Sequence, residues 1–353
     1  MPFRTYAREK VAPSTARVPF PQKVLQSVQL LKDHWASART ADDFSGIWTD
    51  FAEYDRELRL YAGTSLREAR VFEIGYGQRP YRLIALQSMG IDASGVDAEV
   101  SLLAGSVKQS WKVFRTNGFE RMLKTLVRRS LFDSREWRRF SRALVERGFE
   151  PQIDRSRFFV GDAADVDLAS SSLELVISED VFEHIARPSL ERLVPRIAKW
   201  LKPTGLALIR PNIFTGIMGG HLLEWNYRCM VHPPTRRKSE PWEHLRKRRF
   251  EPNTSLNRLT RGEYRSLFSK HFDILDERVQ VPNLGREYLV GKAAEDLAGF
   301  DEEELFSNRV LFVVRPKVTT SLPRSALHHR PEPNDQSCSE GTKEIPMIEP
   351  SSD

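Results

Sequence analysis

The chain has 353 residues, 40% of them hydrophobic and 29% charged, with a net charge of +6. That is apolar material for one large domain or two modest ones, and too much for a disordered chain. Its two cysteines, Cys229 and Cys338, lie far apart, which excludes a disulfide framework and a cysteine-rich zinc site and indicates a reducing, cytoplasmic compartment.

Residues 1 to about 22 carry four prolines and little periodicity and are expected to form an arm. The opening residues hold no apolar core of signal-peptide length, and no stretch approaches the roughly 18 apolar residues of a membrane span. From Gln22 to Tyr61, apolar residues recur at helical spacing: Val24, Val28, Leu31, Trp35, then Phe44, Trp48, Phe51 and Leu58. These predict helices ahead of the first strand.

Strand and helix then alternate. "ARVFEIG" is an apolar run of strand length, "PYRLIALQSMG" a helix stopped by Gly90, "ASGVDA" a second strand, "SRFFVGDA" a third and "LELVISED" a fourth. "PSLERLVPRIAKWLKP" is a helix with Pro188 in its first turn and a kink expected at Pro195. "GLALIRP" is a fifth strand. "TRGEYRSLFSKH" places Glu263 three residues after Thr260, the spacing of a capping box. "FDILDERVQV" and "RVLFVVRPK" close the series. The order predicts an α/β fold: a Rossmann-like, doubly wound, mostly parallel seven-stranded sheet with helices on both faces.

Two segments interrupt it. Residues of about 105–155 form a helical insertion, with stripes at Trp111, Phe114, Met122, Leu126 and at Trp137, Phe140, Leu144. A second, rich in Pro and Arg, spans about 232–259. Residues 1–69 are then an N-terminal arm with helices, 70–317 the main domain and 318–353 a disordered tail. Charge is uneven: Ser106 to Arg157 carries 14 basic against 6 acidic residues, and Arg236 to Arg249 carries 7 against 2. Such runs are either solvated faces or a surface for an anionic partner, whether a charged acceptor, nucleic acid or lipid headgroups.

The chemistry concentrates in "VFEIGYGQRPYRLIALQSMGIDASGVD", Val71 to Asp97. A strand, a glycine turn and a helix start turn backbone N–H groups toward a ligand, and an acid ending the next strand accepts ribose hydroxyls. A dinucleotide fingerprint wants a third glycine where Pro80 stands, after Arg79. A nucleoside cofactor without a pyrophosphate is the better match.

With these motifs the chain resembles the class I S-adenosylmethionine-dependent methyltransferases, of the small-molecule, type 11-like kind, over residues of roughly 70–104 and 156–316. The resemblance implies S-adenosyl-L-methionine as cofactor. Glu73, Gly75, Tyr76 and Gly77 would line its methionine and sulfonium side, Asp97 its ribose, and Asp162 with Ala163 of "GDA" its adenine. Glu179, at the end of the fourth strand, would face cofactor or substrate. "VFEHI" (Val181 to Ile185), the turn "LKPTG" and "RPN" match further family segments. The resemblance covers no metal ligand, and no metal is expected.

Glu179, Glu183, His184 and His221 are the candidate groups near the strand ends, where an oxygen acceptor's proton would have to leave, with His221, Glu179 and His184 the foremost for catalysis. His221 follows the glycines of "FTGIMGGHLLEW", which predict a mobile lid; Trp225 would wall the pocket or belong to the core. The expected acceptor is a small molecule or glycan, anionic if the basic surface faces it. Peripheral membrane contact stays open. Nucleic acid is the weaker partner, because no N/D-P-P-Y/F segment and no Pro-Cys nucleophile follow the fourth strand. A non-catalytic S-adenosylmethionine-binding protein is a further alternative. "YLVGK" (Tyr288 to Lys292) has the Y-x-x-x-K spacing of short-chain dehydrogenases but falls beyond the sixth strand.

Overall fold

The computed structural model describes residues 44–98, 134–237, 239–247 and 255–317. The expected arm, the stripes at Val24–Trp35 and Trp111–Leu126, and the tail from Val318 lie outside them. Seven strands form one sheet: β1 (Arg70–Ile74), β2 (Asp92–Asp97), β3 (Phe158–Val160), β4 (Leu173–Glu179), β5 (Leu201–Arg210), β6 (Phe272–Val279) and β7 (Val310–Pro316). Their order is β3-β2-β1-β4-β5-β7-β6. Strands β1 to β5 pair in parallel, and β7 runs antiparallel to both β5 and β6. The doubly wound, mostly parallel sheet expected from the alternation is present.

Helices among the described residues are α1 (Ser45–Glu57), α2 (Tyr81–Ser88), α3 (Ser134–Val145), α4 (Arg187–Trp200), α5 (Tyr227–Val231), α6 (Glu243–Arg246), α7 (Arg261–Phe268), α8 (Lys292–Leu297) and α9 (Glu302–Leu305). Alternate strand residues enter opposite cores. Phe72, Val176, Ala207 and Ile209 meet α4 and α7 through Leu193, Ile197 and Phe268. Val71, Leu175, Ile177 and Leu208 lie on the other face with α1, α2 and α3, through Tyr54, Leu83 and Phe140. Burial on both faces is why these strands read as near-continuous apolar runs. α1 belongs to this core rather than to a separate leader: Phe51, Tyr54 and Leu58 are buried in it.

Local signals act where the sequence places them. The Thr260 side chain accepts from the Glu263 N–H, and Glu263 accepts in return from the Thr260 N–H, both at 3.1 Å. α4 holds Pro188 in its first turn and continues as one helix through Pro195. The turn expected at "LKPTG" lies inside β5 as an irregularity: Leu173 pairs with Leu201 but Leu175 with Leu206, so Lys202 to Gly205 bulge out. A satellite core joins Ile217, Trp225, Met230, Trp242, Leu297 and Phe306 beyond the end of β5.

Candidate active site

Strand order reverses between β1 and β4, and ligands of open α/β sheets bind at the carboxyl ends of strands beside such a switch. The glycine loop follows β1 there. Gly75 (φ +82°) and Gly77 (φ +70°) both adopt left-handed conformations that favour glycine. The Gly75 N–H donates to Val96 O at 2.7 Å, and the Gly77 N–H donates to Asp97 Oδ2 at 2.8 Å. Asp97 thus fixes the loop from the end of β2 while remaining half-buried. A Cβ on Gly75 would lie 2.2 Å from a Val181 methyl, so the segment after β4 packs directly on the loop.

Beneath the loop is a buried ionic network fed by α1. Glu73 is 1% exposed and takes Arg82 on Oε1 at 3.0 Å; its Oε2 is buried without a hydrogen-bond partner. Burial pushes the Glu73 carboxyl up against the pull of Arg82. Arg82 also meets Asp50 at 2.8 Å. Glu179 accepts from the Tyr54 hydroxyl at 2.7 Å on one oxygen, and from Arg210 at 3.0 Å and Arg309 at 3.2 Å on the other. Burial lifts it to about 7 in spite of Arg210 and Arg82. With both oxygens engaged, Glu179 is built as an anchor between β4, β5 and α1. Arg210 further holds Asp50 and Glu53. The α1 contribution was overlooked in the sequence, although Asp50, Glu53, Tyr54 and Glu57 form a polar stripe at helical spacing beside the apolar one.

Asp162, exposed at the end of β3, accepts from the Ala164 N–H at 2.9 Å and pairs with Arg192 at 2.9 Å; Ala163 is buried in the turn. The Tyr76 side chain does not face the crevice. Its hydroxyl donates to Phe159 O at 2.8 Å and its ring packs on Phe158, so only its backbone is available to a ligand. Arg79, the departure from a glycine pattern, pairs with Glu136 at 2.5 Å and ties the loop to α3.

Three of the candidates, Glu183, His184 and His221, converge. Nε2 of His184 and Nε2 of His221 each lie 4.0 Å from Glu183 Oε1, and the two imidazole rings meet edge to face at 5.0 Å. Glu183 is 3% exposed, accepts from Asn212 at 2.6 Å, and has Oε2 buried without a partner. Burial and Asp180 push its carboxyl up to about 7, while burial and His184 push His221 down to about 4. The glycines before His221 are not a hinge. Added Cβ atoms would meet Asn308 at 2.6 Å from Gly216, Phe214 O at 2.3 Å from Gly219 and His244 at 2.5 Å from Gly220. None has a positive φ, and their small size permits close packing. Trp225 belongs to the satellite core, 2% exposed. The second basic run is partly spent internally: Arg237 lies 4.0 Å over Trp225, and Arg246 pairs with Glu240 and Asp296.

Residues 134–209, from α3 to the end of β5, match a family model described as a methyltransferase domain. Over this segment, which holds β3, β4 and nearly all of β5, the chain is similar to methyltransferase domains. No curated protein matches the chain. Solved structures that resemble the chain include a Pyrococcus horikoshii protein (15% identity, 76% of this chain and 90% of that one, TM-score 0.38). A TehB-like S-adenosylmethionine-dependent methyltransferase from Corynebacterium glutamicum is 13% identical over 78% of this chain and 97% of its own, TM-score 0.35. The geranyl diphosphate C-methyltransferase of Streptomyces coelicolor is 13% identical over 75% and 78%, TM-score 0.35. Resemblance of this degree carries nothing about the acceptor.

The crevice suits S-adenosylmethionine. Glu73 Oε2 is buried without a hydrogen-bond partner, Asp97 is half-buried at the end of β2, and the glycine loop leaves the strand end open to close approach. Among the described residues no helix is long and apolar enough to cross a membrane.

Proposed function

We propose that the chain methylates an oxygen, or alternatively a nitrogen, of a small-molecule or glycan-linked acceptor in the cytoplasm. The observation that carries this reading is the meeting of Glu183, His184 and His221 at the carboxyl ends of β4 and β5, beside Val181 on the glycine loop. Polar groups gathered next to a methyl donor's seat are what an acceptor hydroxyl or amine requires.

S-adenosylmethionine, when bound, supplies a methyl group on a sulfonium, a leaving group that needs no further activation. Glu73 would hold the ammonium end, Asp97 the ribose, and Asp162 with Ala163 the adenine. Glu179 would act at one remove, keeping β4, Arg210 and Tyr54 in register so that the segment carrying Val181 and Glu183 is placed. His221 and His184 would contact the acceptor, aligning its nucleophilic atom and excluding water.

Titration calorimetry with S-adenosylhomocysteine and with NAD tests the cofactor half: heat with NAD alone would overturn it. Comparing metabolites of a strain lacking the chain with its parent tests the acceptor half, through a product missing one methyl group. Methyl loss confined to RNA or DNA would replace the small-molecule reading.

A further inference from the structure

We infer that Glu183, His184 and His221 form a binding site for a divalent transition-metal cation, which presents the acceptor's oxygen to the methyl donor. The second half rests on the function proposed above; the metal site itself does not. Among the described residues these three alone bring a histidine and carboxylate set together, with one ligating atom from each residue lying within 4.8 Å of the others. Both imidazole Nε2 atoms approach the same carboxylate oxygen at 4.0 Å, too far for a hydrogen bond. The side chains are gathered around a point without bonding one another across it.

The spacing suits a metal after small side-chain shifts. Ligands about 2.1 Å from a tetrahedral ion stand about 3.4 Å apart, so each nitrogen–oxygen pair would close by roughly 0.6 Å. The surroundings are those of a supported site. Nδ1 of His184 lies 3.0 Å from Ser255 O. A carbonyl only accepts, so Nδ1 carries the proton and Nε2 has the lone pair turned toward Glu183. Asn212 donates to the same Glu183 oxygen, Oε1, at 2.6 Å and to Asp180 at 3.1 Å, which fixes the carboxylate's orientation. Glu183 Oε2 is buried with no hydrogen-bond partner in a residue 3% exposed, and a cation held by both carboxylate oxygens would satisfy it.

The donor set selects the ion and the ligand. Two imidazoles with one carboxylate favour zinc, cobalt, manganese or iron over magnesium and calcium, which prefer all-oxygen shells. Three protein ligands leave at least one coordination position open. Two neutral imidazoles and one carboxylate leave a bound dication with a net positive charge, which attracts an anionic or ionisable oxygen. The acceptor class is therefore a compound with a hydroxyl able to ligate, best with a second oxygen beside it: a vicinal diol, a dihydroxylated ring or an α-hydroxy acid. No pattern in the sequence signals this site, because His221 reaches it from a different loop.

The test uses full-length, tag-free protein stripped with chelator and titrated with Co²⁺, read by visible absorption and by metal analysis after dialysis. The wild type should take up one equivalent with d–d bands. Glu183→Gln and His221→Gln, close in size to the residues they replace, should each bind at least tenfold more weakly, and His184→Ala should lose the bands. Calorimetry with S-adenosylhomocysteine on the same preparations reports folding and cofactor binding separately. No Co²⁺ uptake by wild type that binds S-adenosylhomocysteine overturns the metal site and leaves the methyltransferase reading intact. Equal uptake by wild type and all three variants overturns it too. Co²⁺ uptake lost in the variants, with no S-adenosylhomocysteine binding by any of them, supports the site and removes its link to methyl transfer.

Discussion

Replacing Gly75 with alanine isolates the contact that joins the glycine loop to the segment after β4. Gly75 sits at φ +82°, and a new Cβ would stand 2.2 Å from Val181 Cγ2, 2.5 Å from Cγ1 and 2.8 Å from Cβ. Carbon atoms prefer about 3.5–4.0 Å, so no rotamer of Val181 removes all three overlaps. The left-handed backbone costs alanine about 1–2 kcal/mol, and the overpacking adds about 1–3 kcal/mol. Gly75→Ala should therefore destabilise the protein by about 2–5 kcal/mol in urea unfolding, and weaken S-adenosylhomocysteine in calorimetry. Val181→Ala removes the two closest atoms but leaves the dihedral cost. The double variant should recover about 1–2 kcal/mol relative to additivity, within the range seen for residues in contact. A cost for Gly75→Ala below about 1 kcal/mol, or strict additivity of the pair, would show that Val181 does not pack on the loop as described.

Three further outcomes are expected. His244 is buried, its Nε2 lies 2.9 Å from Phe214 O, and burial lowers its pKa from 6.5 to about 4. Between these values the unfolded chain binds a proton that the folded one refuses, so stability is full above pH 6.5 and falls by about 3 kcal/mol as the pH drops toward 4; His244→Gln should flatten that slope in pH-dependent unfolding. Arg210 is 2% exposed, and Arg210→Met would leave Glu179, Glu53 and Asp50 without their shared cation; unfolding should show a loss of about 3–5 kcal/mol, and an equally stable variant would discount the network. Asp97→Ala should weaken S-adenosylhomocysteine by about 1.5–3 kcal/mol in calorimetry, the scale of charge-assisted hydrogen bonds.

The sequence by itself determined the sheet and the glycine loop with the acid that fixes it. Both follow from short-range rules: apolar runs bounded by Gly75, Gly90 and Gly161 become strands and turns, and an acid at a strand's end lies where the strand leaves the sheet. Asp97 and the two left-handed glycines could be named from local pattern alone, as could the capping box at Thr260. The cluster at the ends of β4 and β5 was another matter. Glu183, His184 and His221 come from two loops that meet only because β4 and β5 are neighbours. The three glycines before His221 could not be told from a hinge, since the backbones and side chains that crowd them, at Phe214, His244 and Asn308, come from the fold. Basic residues likewise looked free until packing paired Arg237 with Trp225 and Arg246 with Asp296. Glu179 illustrates the division most sharply. Its place at the end of β4 was legible, but its role was set by Tyr54 and by the Arg210 that α1 surrounds. Periodicity records which residues turn inward along one element; only tertiary structure decides which elements they meet and whether a buried charge is answered there.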